Sequence, residues 1–467
     1  MTELVELTIA EASAALRHGD ITSLELTDAT LRRIADTEER IHAYVHIYGD
    51  AARADARERD RELTQGRWRG PLHGIPIAIK DLLHTKDAPT EAGSRAMRGF
   101  MSSYNATIVE RLRQAGAIIV GKTVTHELAY GVDTPATRSP WGSDHYPGGS
   151  SAGSGSAVAA RSAFGAIGTD TGGSIREPAS LNGLVGLKPT FGRVSRHGVV
   201  PLSFSLDHAG PITRTVVDCA LMLGAIAGYD PLDPGSIDEP VPEYLHGIDA
   251  DIRGLRIGVE RDYSFGPSIQ GPVREAVEEM IGELASLGAE IVEVTMPELF
   301  IMSPVGLTIL LVEGSAVHRR LLRERGDRLD PNTRVMLELG EFVPATQYVQ
   351  AQRARSVLQA ATRHLYAAHG LDMLLGPTLP TPTVAMDMFG VPDESGEDPM
   401  TAAINTTFPG NVTGLPTMTI PCGFSPDGFP IGAQLMGRPF GETALFRLAR
   451  AYERNHDWVS RRPPQFP

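Results

Sequence analysis

The chain predicts an α/β protein, a sheet of buried strands covered by helices on both faces. Three observations carry this reading. Short apolar segments alternate with helical ones from about residue 75 onward. Strand signals lie on both sides of a Pro- and acid-rich connection at 229–251. The 467 residues are 42% hydrophobic and 21% charged, the balance of a globular enzyme with a large core. Alternation of this kind argues for a sheet covered on both faces, and strands on both sides of the connection favour one elaborated domain over two.

The first 65 residues read as helices. Thr8-Ile-Ala-Glu11 and Thr22-Ser-Leu-Glu25 are capping boxes, and a charged helix spans about 51–63. Ile75–Ile79 is a strand, Ala106–Gln114 a helix and Ala117–Val120 a strand. The Gly/Ser-rich segment 147–156 leads into a helix of small residues ending near Arg161. Strands at 164–167 and 184–187 precede a helix at 216–227. Beyond the acidic connection, 255–259, 273–287 and 290–294 form a strand–helix–strand unit. Long helices follow at 307–325 and 345–368, then strands at 373–375, 417–420 and 433–436 and a closing helix from Glu442. The expected organisation is a single domain, 1–467. Within it, N-terminal helices cover 1–65, a core 66–228, a variable, pocket-shaping region 229–400, and a return to the core 401–467.

Composition narrows the function. A net charge of −14 repels phosphate backbones and anionic lipid alike. Cys219 and Cys422 each sit in an apolar stretch and read as small core residues. Neither a signal peptide nor a run of about 18 apolar residues is read, so a cytoplasmic protein is expected. The chain has four lysines (Lys80, Lys86, Lys122 and Lys188), its other strong cations being arginines. Arginine cannot replace lysine where a neutral amine must accept a proton, so these four are candidates for positions that need a lysine.

Several short patterns point elsewhere. Gly116-Ala-Ile-Ile-Val-Gly121-Lys122-Thr123 fits a phosphate-loop expression, but its interior reads as a strand preceded by a helix, the wrong order for that loop. Gly149-Ser-Ser151-Ala-Gly153 fits a nucleophile elbow, yet turn formers rather than a strand precede it. With His197 and His208 downstream, an α/β-hydrolase-type esterase using Ser151 stays an alternative. His126-Glu127 lacks the second histidine of a zinc site, and no metal or cofactor is expected.

Three further segments belong together: Gly74-Ile-Pro-Ile-Ala-Ile-Lys80-Asp81, Pro147-Gly-Gly-Ser150-Ser-Ala-Gly-Ser154 and Gly168-Thr-Asp-Thr-Gly-Gly-Ser174-Ile-Arg-Glu-Pro178. In this order and spacing they resemble the amidase signature family. The resemblance continues through Gly186–Ser195, Asp207–Pro211, Asn411-Val-Thr-Gly-Leu-Pro416 and Gly432-Ala-Gln-Leu-Met436. It is weakest between about 230 and 400, and Ala152 departs from the family's usual glycine or serine. It implies a large mixed, twisted sheet and a Ser174–Ser150–Lys80 triad: Ser174 as nucleophile, Ser150 as proton relay, Lys80 as base. The N–H groups of Thr171, Gly172, Gly173 and Ser174 would form the oxyanion hole, with Ser151, Asp170 and Arg176 fixing the loop. Tyr130 and Gly131 are expected on the leaving-group side, and Met386, Met388 and Phe389 as a hydrophobic lid.

The chemistry fits these residue types. A serine needs a base to become a nucleophile. A lysine, with a solution pKa of about 10.4, serves as that base only if burial disfavours its charge. A hydroxyl between them both donates and accepts, so it passes the proton either way. The expected activity is that of a stand-alone amidase acting on uncharged aryl or alkyl amides, with esters and carbamates (urethanes) within reach. The family also includes the transamidosome subunit that frees ammonia from glutamine. That role relies on an acid shortly before the Asn-x-x-Gly-Leu-Pro motif, and residues 400–414 hold none. It stays an alternative, as does an inactive scaffold. A small-molecule amide or carbamate is the expected partner. Nucleic acid and membrane are not, and a homodimer is admitted.

Overall fold

Lys80 ends a strand, Pro76–Lys80, in which every residue is buried. That strand lies deep in one sheet whose order fixes the site. The computed structural model describes residues 4–133, 136–388, 391 and 399–466. In chain order its strands are β1 (Tyr44–Ile47), β2 (Pro76–Lys80), β3 (Ile118–Thr123), β4 (Gly165–Asp170), β5 (Val185–Lys188) and β6 (His208–Thr213). After the acidic connection come β7 (Arg256–Glu260), β8 (Glu290–Val294), β9 (Met373–Pro377), β10 (Thr417–Phe424) and β11 (Pro430–Gly437). They form one eleven-stranded sheet in the order β1-β3-β2-β4-β6-β5-β10-β11-β9-β7-β8. The sheet is mixed: β2 runs parallel to β3 and β4, β4 antiparallel to β6, and β7 parallel to β8 and β9. The two halves meet where β5 pairs antiparallel with β10, Lys188 opposite Thr417.

The burial follows from position. β2, β3 and β4 are interior strands buried along their whole length; each opens on apolar or small residues without alternation and ends in buried polar groups such as Lys80, Lys122 and Asp170. Edge strand β1 has only Tyr44 buried, and four residues with no apolar run left no signal for it among the expected N-terminal helices. The two capping boxes form as read, with Thr8 accepting from Glu11 N–H and Thr22 from Glu25 N–H. Residues 229–251 carry no helix or strand.

Three helices go beyond the sequence reading. Arg176–Leu181 is short and carries Pro178 in its first turn, where a missing N–H costs nothing. Pro331–Phe342 has Asp330 as its cap and Pro331 at its start, a signal that was present. Pro399–Thr413 is built largely from threonine, asparagine and glycine with Pro409 inside, a composition that reads as loop. The long helix expected from residue 307 starts at Leu299 and runs through Pro304 to Arg325. An 18-residue stretch of it has a mean hydropathy of 1.7, long and apolar enough to cross a membrane, yet 44% of that stretch is buried inside the protein. It packs against Pro331–Phe342, Ala345–His369 and Pro399–Thr413.

Candidate active site

The interior position of β2 removes the Lys80 ammonium from water, leaving it 0% exposed. Its Nζ donates to Ser150 Oγ at 2.8 Å and to Thr169 Oγ1, on neighbouring β4, at 2.8 Å. Burial lowers its pKa to about 7 against the opposing pull of Asp170, Asp207 and Glu177. The amine is therefore a base at neutral pH.

Ser150 stands on the Gly-Ser loop, where the Gly149–Ser150 peptide is cis. Gly148 has φ +84°, and a side chain there would strike the backbone of Pro178. Ser151 stands just before the helix Ala152–Ala159 and is fully buried. Its hydroxyl donates to the Thr169 carbonyl at 3.2 Å and accepts from the Thr169 N–H at 3.3 Å, tying the loop to β4. No strand ends at Gly149, so the surroundings of an elbow are missing around Ser151.

The loop from Asp170 to Arg176 closes on itself. Asp170 accepts from Gly173 N–H (2.8 Å) and Ile175 N–H (3.2 Å) and takes Arg176 in a fork at 3.0 and 3.1 Å. Burial works to raise this carboxylate, but the Arg176 charge and hydrogen bonds outweigh it and hold the group well below its usual range. Arg176, itself fully buried, also reaches Thr407 O (2.8 Å), Gln434 Oε1 (3.0 Å) and Asn411 Oδ1 (2.7 Å). Asn411 Nδ2 returns to Asp170 Oδ1 at 2.9 Å. The Asn-x-x-Gly-Leu-Pro and Gly-Ala-Gln motifs thus serve the serine loop from the far end of the chain. Gly173, at φ +142° with Thr407 against it, has no room for a side chain.

Ser174 is half-buried and lines a cavity of about 80 Å³. Thr171, Gly172, Tyr130 and Gly131 share its wall, so the structure brings these expected residues together with the serine. Gly173 N–H is committed to Asp170, which leaves Thr171, Gly172 and Ser174 as the donors of the expected oxyanion set. Leu307, Leu310, Met336, Ile404 and Phe408 make much of the remaining wall apolar, with Glu177 and Thr407 adding polar groups. A larger cavity of about 630 Å³ adjoins it, sharing Ala129, Thr171 and Leu202. Thr171 Oγ1 donates to Asp207 at 2.6 Å on that boundary. Met386 and Met388 form a short 3-10 turn, Met386 packing on Tyr146, Leu181, Leu379 and Ala403, while Phe389 lies outside the described residues.

Two site residues escaped the sequence reading. Thr169, the second partner of Lys80, sits inside a motif whose glycines and serine drew the attention. Glu177 lines the cavity at three residues from Ser174, with its pKa pushed up to about 8 by burial against hydrogen bonds from Gly149 and Tyr146. The other patterns resolve as structure. Lys122 lies in β3, paired with Asp81 at 2.7 Å and bonded to Pro89 O and Thr90, so no phosphate loop forms. Although β4 and β6 set His208 beside Asp170, His208 Nδ1 bonds to Leu206 O and the Asp170 carboxylate is filled by Arg176.

The model of the amidase family matches residues 25–446. An amidase of Pseudomonas putida is 46% identical over 99% of both chains. One subunit of the glutamyl-tRNA(Gln) amidotransferase of Chloroflexus aurantiacus is 41% identical, again over 99% of both. The structure superposes on the native peptide amidase of Stenotrophomonas maltophilia with a TM-score of 0.84 at 34% identity, covering 99% of each chain. The lysine, the two serine loops and the sheet that joins them belong to a fold and family shared end to end with these proteins: the chain is a member of the amidase signature family, an amidase acting on carbon–nitrogen bonds.

Proposed function

We propose that the chain hydrolyses uncharged aryl and alkyl amides on its own, through an acyl-enzyme at Ser174, with esters and carbamates as secondary substrates. The observation that carries this reading is the desolvated Lys80 amine bonded to Ser150 beside an apolar cavity lined by Ser174. Ser174 Oγ attacks the carbonyl while its proton passes to Ser150 and the Ser150 proton to Lys80. The N–H groups of Thr171, Gly172 and Ser174 take the oxyanion, a contribution of about 2.7–4 kcal/mol of barrier per donor. The C–N bond then breaks as Lys80 returns its proton through Ser150 to the leaving nitrogen. Water enters by the same relay to release the acid. Asp170 and Arg176 hold the loop rather than react, and Ser151 anchors it to β4.

The apolar wall of Leu307, Leu310, Met336 and Phe408 supports an uncharged acyl or aryl group. The similarity to an amidotransferase component favours a second reading, glutamine hydrolysis. Residues 402–414 bring Ile404, Thr407 and Phe408 to the cavity and no acid, but Glu177, from the helix after Ser174, supplies a carboxyl to its lining. At about 8, its pKa leaves it mostly uncharged at pH 7 and a poor partner for an α-ammonium. Turnover by the single chain across anilides, primary amides, glutamine, p-nitrophenyl esters and aryl carbamates tests the proposal. Cleavage of anilides but not glutamine is expected. Glutamine as the preferred substrate would reverse the assignment.

A further inference from the structure

We propose that Glu177 is a specificity-determining residue that favours amides over esters by accepting a hydrogen bond from the N–H of the scissile group. The inference rests on the Ser174–Ser150–Lys80 reading. Glu177 is 8% exposed and shares the wall of the cavity with Ser174, among Leu307, Leu310, Ile404 and Phe408. It is held from behind. The Gly149 N–H donates to its Oε1 at 3.4 Å and the Tyr146 hydroxyl hydrogen-bonds to it. Tyr146 in turn meets His126 Nε2 at 3.3 Å, and His126 Nδ1 lies 3.4 Å from Asp133.

This anchoring gives the carboxyl a side. Gly149 adjoins Ser150, the relay that must hand a proton to the departing nitrogen, so Glu177 is tied to the backbone where the leaving group stands. On that side an amide and an ester of the same acid differ by one N–H. An oxygen of a buried carboxyl accepts that N–H. Once ionised, above about pH 8, it meets in an ester an oxygen with no proton to give, and a buried polar group left unpaired costs more than the bond it forgoes. A packing role would be served as well by an apolar side chain beside the Leu307, Leu310, Ile404 and Phe408 part of the wall.

The test is kcat/KM at pH 9, where Glu177 is ionised, for a p-nitroanilide and the p-nitrophenyl ester of the same acid, in wild type, Glu177→Gln, Glu177→Leu and Ser174→Ala. Glu177→Leu is expected to lower the amide-to-ester ratio by about tenfold or more, the worth of one hydrogen bond to a buried group. Glu177→Gln keeps an acceptor oxygen in place and is expected to hold the ratio within about threefold of wild type. A smaller change in Glu177→Leu, or an equal loss in Glu177→Gln, overturns the proposal. Turnover that survives in Ser174→Ala instead sinks the triad reading, so the two failures are told apart.

Discussion

Lys80 Nζ donates to Ser150 Oγ across 2.8 Å at a point where both residues are 0% exposed. It fixes the Ser150 hydroxyl against the amine, while the burial around the pair leaves the ammonium so poorly solvated that the neutral amine is within reach at physiological pH. A surface lysine would be a cation there and no base at all.

The first prediction is a pH profile. Only the neutral amine accepts a proton, so kcat/KM rises as pH climbs through about 7 and flattens above it. Lys80→Arg, protonated throughout, is expected to lose about 10³-fold or more in kcat. A wild-type profile flat from pH 5 to 9 would remove Lys80 as the base.

The same burial predicts a stability effect of defined sign. The folded-state pKa of Lys80 lies below its unfolded value, so the unfolded chain binds more protons between about 7 and 10.5. The cost of burying Lys80 is thus fully present below 7 and fades as pH rises through that window. Lys80→Met is expected to melt about 2 °C or more above wild type at pH 7, with the gap narrowing toward pH 10. Calorimetry at the two pH values checks it.

Arg176 and Asp170 are 0% exposed and face each other at 3.0 Å. Removing one leaves the other buried and unpaired, so Arg176→Met alone is expected to cost about 3–5 kcal/mol. Asp170→Asn with Arg176→Met removes both charges and recovers part of that loss. Denaturant unfolding of the two single variants and the double variant measures the coupling. Simple additivity would show that the pair does not act as a unit.

Phe408 is 1% exposed, and its ring lies where a side chain at Gly172 or Gly306 would stand. Phe408→Ala is expected to cost about 3–5 kcal/mol and to enlarge the cavity beside Ser174. Bulkier acyl groups then gain kcat/KM relative to small ones, a shift that a series of anilides of increasing acyl size measures.

How far the sequence alone reached follows from what its patterns encode. Buried strands such as β2 and β4 announce themselves through short apolar stretches without alternation, Ile75–Ile79 and Phe164–Ile167, because burial on both faces favours them. Of the four lysines, Lys80, Lys122 and Lys188 are all 0% exposed and only Lys86 is exposed. Their needs differ, however, since Lys122 answers Asp81 and Lys188 answers the carbonyls of Leu415 and Pro189. Rarity flagged positions that a long arginine does not fill, not a shared chemistry. Glu177 was invisible for the opposite reason. An acid in the first turn of a helix reads as a partner of the helix N-terminus, and only the packing of Gly149 and Tyr146 turns it toward the cavity. The network joining Asp170, Arg176, Asn411 and Gln434 spans more than 250 residues of chain, a distance no local pattern records.

The central claim is that Ser174 carries the acyl group, and anilide turnover by the purified chain, wild type beside Ser174→Ala, tests it most directly. The account predicts steady turnover by wild type and a loss of about 10⁴-fold or more in the variant, with an unchanged melting temperature. Turnover that persists in Ser174→Ala would contradict it and return the role of nucleophile to another hydroxyl of the loop, Ser151 first among them.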